Sequence, residues 1–104
     1  MGPFSVTIEH KDGMVLLRPS GELDVTTASQ LERALAGVVG KHWAVVVDLS
    51  GVPFADCAGL RPLRWALQEG SENMTGVRVS GARPEVERVL RLTGLQRPLS
   101  VGDS

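Results

Sequence analysis

The chain is poor in cysteine and in aromatic residues: it has one cysteine, Cys57, no tyrosine, two tryptophans and two phenylalanines. A single thiol cannot close an internal disulfide, which points to a reducing compartment. With aromatics at 4%, the chain lacks the stacking platforms that bind single-stranded nucleic acid. Neither charge is in excess, since 11 Lys and Arg stand against 12 Asp and Glu for a net charge of -1. Such a balance gives no field to gather a nucleic-acid backbone or an anionic membrane surface. No apolar run approaches the ~20 residues that cross a bilayer, and Met1 to Glu9 alternates instead of forming the apolar stretch of a signal peptide. His10 and His42 lie far apart, without cysteines at metal-ligand spacing. No Gly-x-Gly-x-x-Gly and no phosphate-loop lysine motif occurs. The expectation is a cytoplasmic protein with no cofactor, no metal, no nucleic-acid partner and no direct membrane insertion.

What is present suits one α/β domain spanning 1–104, since 104 residues are too few for two domains. Phe4, Val6 and Ile8 alternate with Ser5, Thr7 and Glu9, as in a strand with one wet face. Lys11-Asp12-Gly13 is a turn into a second strand that begins with Met14-Val15-Leu16-Leu17 and passes Pro19, where a bulge or an edge position is expected. Thr26 or Thr27 can cap a helix with Leu31, Ala34, Leu35, Val38 and Val39 on one face, ended by Gly40. Trp43 to Val47 reads as a strand buried on both faces. A second helix carries Leu60, Leu63, Ala66 and Leu67. Because Pro62 would break a helix begun at Asp56, the first turn belongs near Leu60 to Pro62, with Cys57-Ala58-Gly59 as a turn before it. Gly70 to Gly76 reads as a polar loop, Val77 to Val79 as a short strand, and Pro84 as the start of a third helix with Val86, Val89 and Leu90 inward and Gly94 at its end. Leu99 and Val101 suggest a last strand before a fraying tail. The order β-β-α-β-α-β-α-β implies a mixed sheet covered by helices. The arginines that thicken towards the C-terminus alternate with Glu85 and Glu87, as on a solvated helix face. Trp43 and Trp65 read as core or helix-packing residues.

The loop after the central strand, Asp48-Leu49-Ser50-Gly51-Val52-Pro53-Phe54-Ala55-Asp56-Cys57-Ala58-Gly59-Leu60, is the unusual segment. In open α/β sheets, functional loops gather at the carboxyl ends of strands. Small residues before a helix leave backbone N–H groups open to an acidic group, although the same residues also serve plain packing, and a helix whose first turn lies near Leu60 to Pro62 weakens the anion-site reading. That start also places Arg61 and Arg64 beside the loop.

The segment resembles the signature of STAS domains, the family of bacterial anti-sigma-factor antagonists. Asp48-Leu49-Ser50, Val52, Phe54, Asp56, Gly59 and Leu60 match the family pattern in register, and Gly21-Glu22-Leu23-Asp24 is similar to its second marker. The resemblance covers essentially the whole chain. It implies a non-enzymatic protein that works by partner switching. The unmodified domain binds an anti-sigma factor that is also a serine kinase with a histidine-kinase-like ATPase fold, and so frees a sigma factor. The kinase phosphorylates the second hydroxyl residue of an Asp-Ser-Ser-Gly turn, adding about -2 charge where the partner docks. The partner-binding residues implied here are Asp24, Ser50, Asp56, Cys57, Ala58, Gly59, Leu60 and Arg61.

The chain departs from the family at the decisive place. Cys57 and Ala58 occupy the two hydroxyl positions, and Ala58, at the phosphoacceptor position, has no oxygen to modify. Three outcomes stay open: a permanently binding-competent antagonist, control by abundance, another site or a partner domain, and a scaffold role. A non-phosphorylatable STAS subunit of a signalling scaffold or lipid-transport complex is therefore the alternative function. Cys57 itself reads either as a redox-sensing thiol or as a small packing residue in place of serine. Ser50 reads as a loop-fixing hydroxyl or a substitute phosphoacceptor, Asp56 as a capping residue, and Asp24 as a partner contact or a helix-end charge.

Overall fold

Asp12 and Gly13 take φ of 52° and 76°, the paired positive values of a two-residue hairpin turn, and join β1 (Ser5–Lys11) to β2 (Met14–Ser20). The computed structural model describes residues 3–41, 44–72 and 76–95. The antiparallel ladder runs unbroken from Ser5↔Ser20 to Lys11↔Met14. No bulge forms at Pro19, which pairs with Val6. On its other side β2 pairs with β3 (Ala44–Asp48) only from Met14 to Leu17, so the missing N–H of Pro19 falls where that strand has no β3 partner. β3 pairs in parallel with β4 (Val77–Ser80), giving a mixed sheet in the order β1-β2-β3-β4. The strand expected at Leu99 and Val101 lies outside the described residues, as does Trp43.

β3 is central but one-sided, contrary to the expectation from its unbroken apolar run. Val45 and Val47 are buried with Val15, Leu17 and Val79, whereas Val46 and its cross-strand neighbour Leu16 are only half-buried. The reason is the placement of the helices. Leu31 and Leu35 of α1 (Ala28–Ala36), Leu63, Ala66 and Leu67 of α2 (Arg61–Glu72), and Val86 and Leu90 of α3 (Pro84–Leu92) all join the same core cluster as Val45 and Val47. Among the described residues, the helices thus cover one face of the sheet. A leucine buried in such a core contributes about 1.5–3 kcal/mol, so Leu17, Leu31, Leu35, Leu63 and Leu90, all fully buried, anchor the layers.

The helix ends refine the sequence reading. α1 stops at Gly37 rather than Gly40, because the chain tightens through Gly37 N–H to Ala34 O (3.3 Å) and Val38 N–H to Leu35 O (3.0 Å). That turn buries the consecutive Val38 and Val39, which a continued helix would place about 100° apart. Gly40, at φ 81°, follows as the left-handed residue. α2 continues through Gly70 to Glu72, so the segment from Gly70 is not all loop. A β-carbon on Gly70 would lie 2.5 Å from Val77 Cγ2, and its absence lets α2 pass close over β4. α2 begins at Arg61 with Pro62 in its first turn, and α3 begins at Pro84, both as the proline positions imply.

Candidate functional site

Two loops at the carboxyl ends of β2 and β3 are zipped together through one leucine. Leu23 N–H donates to Phe54 O (2.9 Å), and Leu23 O accepts from Asp56 N–H (3.2 Å), a one-residue parallel bridge to Ala55. Both side chains of the bridge are buried, Leu23 at 0% and Ala55 at 2% exposed. Leu49 and Val52 hold the longer loop from beneath, with Leu49 N–H donating to Ser80 O (2.8 Å) and Val52 N–H to Leu49 O (3.0 Å).

The turn Asp56-Cys57-Ala58-Gly59 then leads into α2. The Asp56 carboxylate accepts from Gly59 N–H (2.8 Å), and Asp56 O accepts from Leu60 N–H (3.0 Å). Asp56 therefore fixes the turn, as its residue type suggests. A β-carbon on Gly59 would overlap the Leu23 carbonyl and lie 2.7 Å from Asp24 N, so only glycine permits the two loops to touch. Cys57 and Arg61 are exposed, Ala58, Asp56 and Asp24 are half-buried, and Gly59 and Leu60 are buried. Leu60, at 1% exposure, supports the surface from beneath.

The first loop is braced by its threonines. Asp24 Oδ1 accepts from Thr26 N–H (2.9 Å) and from the Thr26 hydroxyl (2.6 Å). These bonds hold the Asp24 carboxyl below its ordinary range. Thr27 occupies the N-cap position of α1, but its hydroxyl makes no cap hydrogen bond. It donates to Glu22 O (2.8 Å) and accepts from Asp24 N–H (3.0 Å), closing the loop instead of the helix.

Ser50 belongs to a different grouping from the Asp56–Arg61 turn. Its N–H donates to Asp48 Oδ1 (2.9 Å), and its carbonyl accepts from Arg83 Nε (3.0 Å). Arg18 Nε lies 3.4 Å from Asp48 Oδ2. Burial pushes the Asp48 carboxyl up, but the Ser50 hydrogen bonds and Arg18 together reverse this and leave it lowered. Cys57, Ala58 and Arg61 thus line one pocket, with the Asp24 backbone and the Asp56 carboxylate both against Gly59 beside it, while Ser50 lies among Asp48, Gly81 and Arg83.

The sequence profile of the STAS domain matches residues 5–104. The chain belongs to the STAS domain family. It is 34% identical over 96 residues to the anti-sigma-F factor antagonist RsfB of Mycobacterium tuberculosis, covering 90% of this chain and 77% of that protein. The crystal structure of an anti-sigma factor antagonist from Mycobacterium paratuberculosis superposes with a TM-score of 0.82 at 35% identity, covering 93% of this chain and 83% of that one. The fold is also that of SpoIIAA of Bacillus, at 17% identity. Its unphosphorylated form gives a TM-score of 0.76 over 91% of this chain and 85% of that one, and its phosphorylated form 0.72 over 91% and 88%.

Two members of this STAS surface escape the sequence reading. Val25 is 73% exposed in the loop after Asp24, and Trp65 is 39% exposed on α2 and lines a groove rather than the core. Trp65 sits about 160° around the helix from both Leu63 and Leu67 of the core, so the helical wheel alone places it off the core face. Nothing in the sequence flags Val25, an isolated apolar residue between Asp24 and Thr26. No described helix is long and apolar enough to cross a membrane.

Proposed function

We propose that this STAS domain is an anti-sigma-factor antagonist that acts in the cytoplasm by binding, not catalysis, and whose partner is an anti-sigma factor with a histidine-kinase-like ATPase fold. The observation that carries this reading is the joining of the Asp24 loop to the Asp56–Arg61 turn through Leu23 and Gly59, which makes one continuous surface of the two STAS markers. Likeness to RsfB across 90% of the chain supports the same role. On this surface Ala58 stands at the phosphoacceptor position, half-buried and without an oxygen, so the complex is not released by phosphorylation there.

The test is titration calorimetry of the chain against each purified anti-sigma factor of its host genome, with gel filtration to detect sigma factor released on binding. A stoichiometric complex that displaces sigma factor supports antagonism. The alanine at position 58 also favours a second reading, a STAS subunit of a scaffold or lipid-transport complex. That reading predicts no anti-sigma binding and co-purification with a transporter ATPase or a large particle.

A further inference from the structure

Ala58 and Arg61 form a divide between two grooves of different chemistry. On one side lies a pocket of about 250 Å3 whose lining includes Cys57, Ala58, Arg61, Arg64, Thr93 and Leu95. Its lining includes two arginines and no carboxylate. Arg64 Nη2 donates to Thr93 O (3.4 Å), which holds that guanidinium across the pocket. No ion pair among the described residues neutralises Arg61 or Arg64. On the other side lies a groove of about 350 Å3 whose apolar lining is Val25, Ala28, Ala58, Pro62 and Trp65, with Ser29, Glu32 and the shared Arg61 as polar members. Val25 and Trp65 are among the exposed large hydrophobic residues of the described chain.

Resting on the anti-sigma reading above, we propose that the partner straddles this divide with an acidic–apolar segment. One carboxylate pairs with Arg61 and Arg64, and a neighbouring aliphatic side chain enters the Val25–Trp65 groove. Charge complementarity selects this occupant. A basic segment meets uncompensated arginines on one side, and a wholly apolar one leaves two guanidinium groups covered without a counter-charge, which is costly. Arginine also suits the role, because its planar fork pairs with a carboxylate through two hydrogen bonds. An alanine at position 58 keeps the divide low and uncharged, so both grooves open to the same segment.

The experiment is a 15N–1H NMR titration of the full chain with acetyl-Leu-Glu-Glu-Leu-amide, and in parallel with its Lys-Lys and Gly-Glu-Glu-Gly counterparts. The expected result is concentration-dependent shifts at the amides of residues 57–65 and at the Trp65 indole. The response is at least about fivefold weaker for the Lys-Lys peptide, reduced for the glycine peptide, and lost in Arg61→Glu/Arg64→Glu, whose own spectrum reports that it is folded. Equal response to the basic peptide, or shifts confined elsewhere, overturns the proposal. With whichever anti-sigma factor binds the natural chain, the same double variant lowers affinity at least about tenfold, and Arg88→Glu on α3 lowers it less than about twofold. Equal effects of the two would also overturn it. Should no anti-sigma factor bind, the functional reading fails while the peptide titration still decides the surface.

Discussion

The α-carbon of Gly59 packs so closely on the carbonyl of Leu23 that no β-carbon fits between them. The obstruction is backbone on both sides, with the Leu23 carbonyl itself engaged by Asp56 N–H at 3.2 Å. The family marker glycine is thus explained by contact between two loops and not by an unusual dihedral angle.

Gly59→Ala is predicted to destabilise the fold by about 3 kcal/mol, at the upper end of overpacking costs, with a fall in Tm of roughly 10 °C or more. Urea denaturation of the two proteins measures this. An unchanged midpoint would mean that the loops separate without cost.

The Asp56 carboxylate closes its turn through Gly59 N–H. Asp56→Ala is expected to cost about 1 kcal/mol, and Asp56→Asn much less, because an amide oxygen accepts the same bond. Equal losses in the two variants would assign the effect to charge rather than to the hydrogen bond.

Asp24 and Asp48 both have lowered carboxyl pKa values, the first through Thr26 and the second through Ser50 and Arg18 against the effect of burial. A carboxylate whose pKa is lower in the folded than in the unfolded chain adds stability above the unfolded value. It loses that stability as pH falls through the folded value. Denaturation midpoints should therefore decline as pH drops below the ordinary 3.8. Thr26→Val removes the 2.6 Å hydroxyl bond to Asp24. The variant should titrate Asp24 at higher pH, and its stability gap to the parent should narrow in acid. Carbon-detected NMR of the Asp24 carboxyl reads the first effect directly.

Much of this was legible in the residues because it depends on local rules. Pro62 and Pro84 mark helix starts, Asp12-Gly13 marks the hairpin, and the Asp48–Leu60 pattern marks the surface loop. What was hidden depends on contacts between distant segments. The Gly59 approach to Leu23, the passage of Gly70 over Val77 and the turning of the Thr27 hydroxyl back to Glu22 all require the loops to be assembled first. Ser50 shows the same limit: it sits within the signature stretch in sequence, yet its hydrogen bonds run to Asp48 and Arg83. The half-covered face of β3 follows from helices placed on one side, which an apolar run cannot announce.

On the proposed antagonist role, Ala58 leaves this domain in a binding state that ATP does not switch off. The most direct measurement follows complex formation over time with whichever anti-sigma factor binds the natural chain, with ATP and magnesium present, for that chain and for Ala58→Ser. The account predicts a persistent complex for the natural chain and one that decays as Ala58→Ser gains phosphate at the introduced hydroxyl. A natural-chain complex that decays with ATP at the same rate as the serine variant would contradict it.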